Sequence, residues 1–238
     1  MNTIRIICTL CCMLVFPFSG ICQTVSDLFY YSGDKLQVTS DSRFVSNESK
    51  SANEKCLSSW GKVYTYKSNI ETAQSNKKYR IEFVGLNSDL NSSGFEAVRI
   101  YDVSTNTLLL EHQAFVPMEN VTNVIAAEHD TRRYIKIPLD NDSFALLLGS
   151  IIYDGDDNAP EMLIIVVHKN QAKVVFDTRA FAYSFSPAPN FSVEFVDVMS
   201  WGKNAYGNDD NPTAEPLSSK TKHKIWKEGN MLKYKSWK

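Results

Sequence analysis

Cysteine is nearly missing from the body of this chain. Of five cysteines in 238 residues, Cys8, Cys11, Cys12 and Cys22 fall within the first 22 positions, which leaves Cys56 alone. One thiol makes no internal disulfide, and a chain of this length buries enough apolar surface to hold together without one. In an exported protein that favours a bacterial periplasm or cell surface over a eukaryotic extracellular space, where disulfides are common. An excess of charge of either sign is also lacking. Lys and Arg number 25 against 27 Asp and Glu, a formal charge of −2, so the whole molecule has no strong pull on nucleic acid or anionic lipid. Beyond the first 22 residues no run is apolar enough to span a bilayer. The longest, Met162 to Val167, is far short of the roughly 20 residues a spanning helix needs. No later window sustains the i, i+3, i+4, i+7 spacing of an amphipathic helix.

Catalytic signatures are absent as well. His112, His129, His168 and His223 are scattered, and none is spaced to share a metal with another on one helix face. Glu128-His129-Asp130 places neighbours on opposite sides of the chain. There is no Gly-x-Ser-x-Gly elbow and no phosphate-cradling glycine loop, and Cys56 has no histidine near it in sequence. A carboxylate pair for glycoside hydrolysis cannot be picked from so many acidic residues. No catalytic residue is assigned.

What is present begins with an address. Arg5 precedes an apolar run from Ile6 to Phe18, followed by the small residues Ser19 and Gly20. This is the layout of a cleaved signal peptide over residues 1–22, with the cut after Cys22 and Gln23 as the new N-terminus. A lipoprotein signal would carry Leu and a small residue where Ser19 and Ile21 stand, so lipidation of Cys22 is the weaker reading. The expected product is extracytoplasmic, periplasmic or secreted, with a single domain over 23–238. Polar stretches near 40–59 and 202–222 read as long loops within it.

Between those loops the sequence is written in strands. Tyr79 to Val84, Ala97 to Tyr101, Thr107 to Glu111, Tyr134 to Ile137, Phe144 to Ile152, Met162 to His168, Ala172 to Phe176 and Phe191 to Val196 are short and rich in β-branched, leucine and aromatic residues, with turn residues between them. Two further hairpins are expected, Leu28 to Val38 around Gly33 and Ile225 to Tyr234 around Gly229. Val84-Gly85 and Leu148-Gly149 lie 64 residues apart, Glu96 and Glu161 lie 65 apart, and similar hairpins follow each. The expected fold is all-β, built of antiparallel meanders of repeated hairpins. A small β-propeller-like arrangement accounts for the repeat, and a β-sandwich is the alternative.

Two segments carry candidate chemistry. The first is Asp154-Gly155-Asp156-Asp157-Asn158-Ala159-Pro160-Glu161, read as a loop that leads into the strand Met162 to Val167. Asp154, Asp156 and Asn158 hold the first, third and fifth places of a Ca²⁺ loop, with Glu161 as a further oxygen ligand. Here the chain resembles the FG-GAP and VCBS type repeats of calcium-binding propellers, and the resemblance implies bound Ca²⁺. It departs from them at Ala159, where glycine is expected, and at Met162, where an acidic residue is expected. The alternative is a solvated turn that uses these residues for their backbone preferences. The second segment is C-terminal, where Trp226, Tyr234 and Trp237 stand among lysines and form a candidate surface for an anionic glycan or a protein tail. In Met231 to Lys235 the lysines point one way while Leu232 and Tyr234 point the other.

A non-catalytic binding or accessory module of unidentified ligand is the leading expectation. An extracytoplasmic hydrolase acting on glycans and a structural envelope component are the alternatives. No nucleic-acid partner and no transmembrane segment are expected.

Overall fold

Alternation of apolar and polar side chains sets the elements. In the first half of Lys78–Gly85, Tyr79 and Ile81 are fully buried while Lys78 and Arg80 reach solvent, the period-two signature of a strand, and from Ile81 on both faces are covered. The computed structural model describes residues 25–39, 62–72, 77–85, 97–113, 121–122, 134–154, 157–197 and 221–238, and among these there are strands and turns but no helix. The strands are β1 (Ser26–Asp27), β2 (Phe29–Ser32), β3 (Lys35–Val38), β4 (Tyr64–Glu71) and β5 (Lys78–Gly85). Next come β6 (Ala97–Asp102), β7 (Thr107–Gln113), β8 (Val121–Thr122), β9 (Ile135–Pro138) and β10 (Ser143–Asp154). Then follow β11 (Asp157–His168), β12 (Gln171–Ser186), β13 (Ser192–Asp197), β14 (Lys222–Glu228) and β15 (Met231–Trp237).

Every pairing is antiparallel. One sheet runs β4-β5-β6-β7, and a larger one runs β1-β15-β14-β13-β12-β11-β10-β8 with β9 also on β10; β2 and β3 form a hairpin of their own. Residues 144–148 of β10 and 162–167 of β11 are buried on both faces, which is why they read as continuous apolar runs. One face, with Phe144, Leu146, Leu148, Leu163, Ile165 and Val167, meets Tyr79, Ile81, Phe83, Val98 and Ile100 of the four-stranded sheet. The opposite face, with Ala145, Leu147, Met162, Ile164 and Val166, joins a second core. That core also takes the inner side chains of β13 to β15, and Phe29 and Leu36 from the β2–β3 hairpin. The join between the halves of the large sheet is β12, whose residues Gln171–Arg179 pair with β11 and Ala180–Ser186 with β13. A register shift between Ala182 and Ser184 follows the change of partner, the irregularity a bulge introduces.

The two meanders related by the 64- and 65-residue offsets are β5-β6-β7 and β10-β11-β12, and they pack face to face across the first core. Among the described residues the strands close neither a barrel nor a ring of blades. The structure adds strands beyond those the sequence predicts: β4, the two-residue β1 and β8, and a β12 that continues well past Phe176. The eight-residue acidic loop is also corrected. Pairing of β10 with β11 continues to Asp154↔Asp157, so 157–161 are strand. The polar stretches at 40–59 and 202–220 lie outside the described residues.

One turn ties the layers together. Lys169, first residue of the two-residue β11–β12 turn, has φ of 51°, where the β2–β3 and β14–β15 turns carry Gly33 and Gly229 at 59°. Its carbonyl accepts from Tyr79 Oη at 2.7 Å and Lys77 Nζ at 3.0 Å, and its ammonium pairs with Asp34. A left-handed non-glycine residue is held there by contacts to the four-stranded sheet and to the β2–β3 turn.

Candidate functional site

The outer face of β13, β14 and β15 is the surface where chemistry-bearing side chains gather. Val193, Phe195, Ile225, Leu232 and Tyr234 point into the core, so the residues between them point out. The register places Trp226 opposite Lys233, Lys224 opposite Lys235 and Lys222 opposite Trp237 across β14 and β15. On the β13 side Ser192 faces Trp226 and Glu194 faces Lys224.

Charge on this face is only partly compensated. Lys224 Nζ lies 3.0 Å from Glu194 Oε1, and Lys233 Nζ lies 2.7 Å from Asp27 Oδ1 on β1. The Asp27 hydrogen bond holds the Lys233 ammonium above its ordinary value. Lys235 has no carboxylate partner among the described residues. Its Nζ sits 5.9 Å from the Trp226 ring centroid and 5.1 Å from that of Trp237, so the two aromatic faces orient the cation. Trp226 is fixed in turn, its Nε1–H donating to Glu228 Oε2 at 3.1 Å. Beside these groups lies an open depression of about 390 Å³, lined by Asn190, Phe191, Ser192, Lys224, Trp226, Lys227 and Lys235.

The structure divides the C-terminal candidates. Trp226 and Trp237 share the outer face through Lys235, whereas Tyr234 is on the inner face, 5 % exposed, with its hydroxyl 2.7 Å from His223 Nδ1. Tyr234 is a core residue, as the alternation in Met231 to Lys235 requires. Of the acidic candidates, Asp154 is paired with Asp157, Asn158 with Tyr153, and Glu161 with Ser150, while Asp156 lies outside the described residues. At about 3.3 Å per residue, the Glu161 backbone lies roughly 13 Å along the strand from Asp157. The side chains of Asp154, Asn158 and Glu161 are also outside the described residues.

Two buried polar pairs escaped the sequence reading. His112 Nε2 meets Asp177 Oδ2 at 3.0 Å between β7 and β12, and Ser143 Oγ meets His168 Nδ1 at 2.6 Å between β10 and β11. Their members are 65 and 25 residues apart, so no local pattern could join them. Ser143 and His168 are 2 % and 7 % exposed, and Tyr31 packs its ring 4.6 Å from that of His168. This serine–histidine contact is packing, closed over by the hairpin. Burial also holds the His168 imidazole below its ordinary pKa. Among the described residues no group of histidine, cysteine or acidic side chains is arranged to hold a metal ion, and no helix is long and apolar enough to cross a membrane.

Comparison with protein-family models, curated proteins and solved structures finds no match for the chain.

Proposed function

We propose that this chain is an extracytoplasmic, non-catalytic binding module whose ligand surface is the outer face of β13 to β15, and that its ligand is anionic. The observation that carries the reading is Lys224 directly across from Lys235, with one carboxylate, Glu194, on the far side of Lys224 and none beside Lys235 among the described residues. Like charges opposed on a sheet ladder destabilise it. A surface that keeps such a pair, flanks it with Trp226 and Trp237 and leaves a depression beside it is suited to an acidic partner, a glycan or a protein tail. The layout of residues 1–22 supports export, with Gln23 as the first residue of the working protein.

The test is titration of the exported protein at low salt with two acidic probes, a heparin-derived sulfated oligosaccharide and an oligoglutamate peptide, followed by tryptophan fluorescence and calorimetry. At least one probe should bind, binding should weaken as salt rises, and Trp226→Ala/Trp237→Ala should abolish it. Failure of both probes, or unchanged binding by the double variant, overturns the reading.

A further inference from the structure

We infer that the depression beside Trp226 is a subsite for an acidic saccharide unit, one sugar ring bearing a carboxylate or sulfate, with Lys235 as the residue that selects for the charge. This rests on the binding face proposed above and goes further by naming the ligand class. Three features of the pocket carry it.

The first is charge. Lys224, Lys227 and Lys235 line the depression, and the only carboxylate partner among them in the described residues is Glu194, on Lys224. Lys227 is paired with the inward-facing Leu232, which leaves the Lys235 ammonium for a ligand, enough for one anionic group and too few for the extended phosphate tracking of a nucleic acid.

The second is shape. A volume of about 390 Å³ falls at the low end of small-ligand sites, which span roughly 300–1,000 Å³. An acidic peptide tail would draw on a row of free cations or an open sheet edge. The row is interrupted here, because Lys233 is neutralised by Asp27. At the edge, β1 pairs with β15 at Tyr234 and Lys233, beside the site.

The third is the mixture of walls. Trp226 lines the depression together with the polar residues Asn190 and Ser192, the latter directly across the ladder from it. That combination suits a ligand with a stiff apolar face and hydrogen-bonding edges, which a pyranose ring offers and a glutamate side chain does not.

Calorimetry on the exported protein discriminates. The probes are trigalacturonate, its fully methyl-esterified neutral form, a heparin-derived disaccharide and an oligoglutamate of the same charge as trigalacturonate. Trigalacturonate or the sulfated disaccharide should bind at least tenfold more tightly than the neutral ester and the oligoglutamate. Lys235→Gln should weaken saccharide binding about tenfold, the loss expected for one charge-assisted contact, and Lys235→Arg should retain most of it. Lys67→Gln removes the same charge from the four-stranded sheet, where Lys67 is largely exposed, and should leave binding unchanged. Equal melting midpoints for the Lys235 variants exclude misfolding as the cause. Oligoglutamate binding as tightly as either acidic saccharide overturns the saccharide assignment and leaves the binding face standing. Equal affinity for the methyl ester, or no effect of Lys235→Gln, overturns the charge-selecting pocket. Silence from every acidic probe removes the binding face as well.

Discussion

The His112–Asp177 pair sits where β7 of the smaller sheet approaches β12 of the larger one, and its removal should loosen the two layers. His112 Nε2 and Asp177 Oδ2 are 3.0 Å apart with side chains 2 % and 7 % exposed. His112 Nδ1 meets no hydrogen-bond partner among the described residues, so the geometry assigns the ring proton to Nε2, where it donates to the carboxylate. Lys78 and Glu71 provide the contrast, also 3.0 Å apart but more than half exposed. Deleting one member of a buried pair leaves the other unsatisfied in the interior, at about 3 kcal/mol. His112→Ala and Asp177→Ala should therefore each lower the melting midpoint by about 6–12 °C, at roughly 2–4 °C per kcal/mol for a domain of this size. The double variant should lose at least ~2 kcal/mol less than the sum of the singles, because no orphaned group remains. The Glu71→Ala/Lys78→Ala cycle should give coupling below about 0.5 kcal/mol. The assay is urea unfolding of both four-member cycles. Coupling at His112–Asp177 as small as at the exposed pair would refute the argument that burial, at equal distance, sets the strength of the contact.

Three further outcomes are expected. Tyr79→Phe removes the donor to the Lys169 carbonyl, which keeps Lys77 Nζ as a partner, so the loss should be near ~1 kcal/mol by urea unfolding rather than the larger cost of an orphaned carbonyl. Gly229→Ala places a Cβ that meets nothing within 4 Å at φ of 59°, so its cost of about 1 kcal/mol is purely conformational and should appear as a lower urea midpoint with an unchanged m-value. His168 has its folded pKa below the unfolded value through burial, so its contribution is fully present above the ordinary histidine pKa and is lost as pH falls through the folded value; unfolding free energies from pH 8 to 5 should decline less steeply in His168→Gln than in wild type.

The strands legible in the sequence were those whose apolar residues either alternate cleanly or run unbroken. Lys78–Gly85 announces itself because Tyr79, Ile81 and Phe83 are all fully buried, and Met162 to His168 because both of its faces are covered. β4 was not legible because it is an edge strand, with Ile70 as its one fully buried apolar side chain. Its tyrosines alternate with Thr65 and Lys67, a pattern weak enough to pass for a linker. The second half of β12 is hidden by the register shift at Ala182/Ser184, which breaks period two shortly after the strand passes from β11 to β13 at Arg179/Ala180. In the acidic segment Asp, Asn, Gly and Pro have strong turn preferences, yet pairing with Ile151, Ile152 and Tyr153 carries 158–160 into the sheet. Tertiary pairing outweighs local preference there.

The candidate surface was half legible for a different reason. Composition brings Trp226, Tyr234 and Trp237 together, and alternation within β15 already separates Tyr234 from the lysines beside it. The juxtaposition of Lys235 with two indoles depends on the register between β14 and β15, and that register is set by one turn. Glu228 pairs with Met231 across Gly229 and Asn230, the left-handed φ of Gly229 closing the reversal in two residues. A slip of one residue would turn Leu232 and Tyr234 outward and bury lysines, so the core under β15 enforces the register that assembles the face above it. The same inward residues that stabilise the hairpin therefore fix the spacing of the Trp226–Lys235–Trp237 group, and the group needs no support of its own beyond the Trp226–Glu228 hydrogen bond.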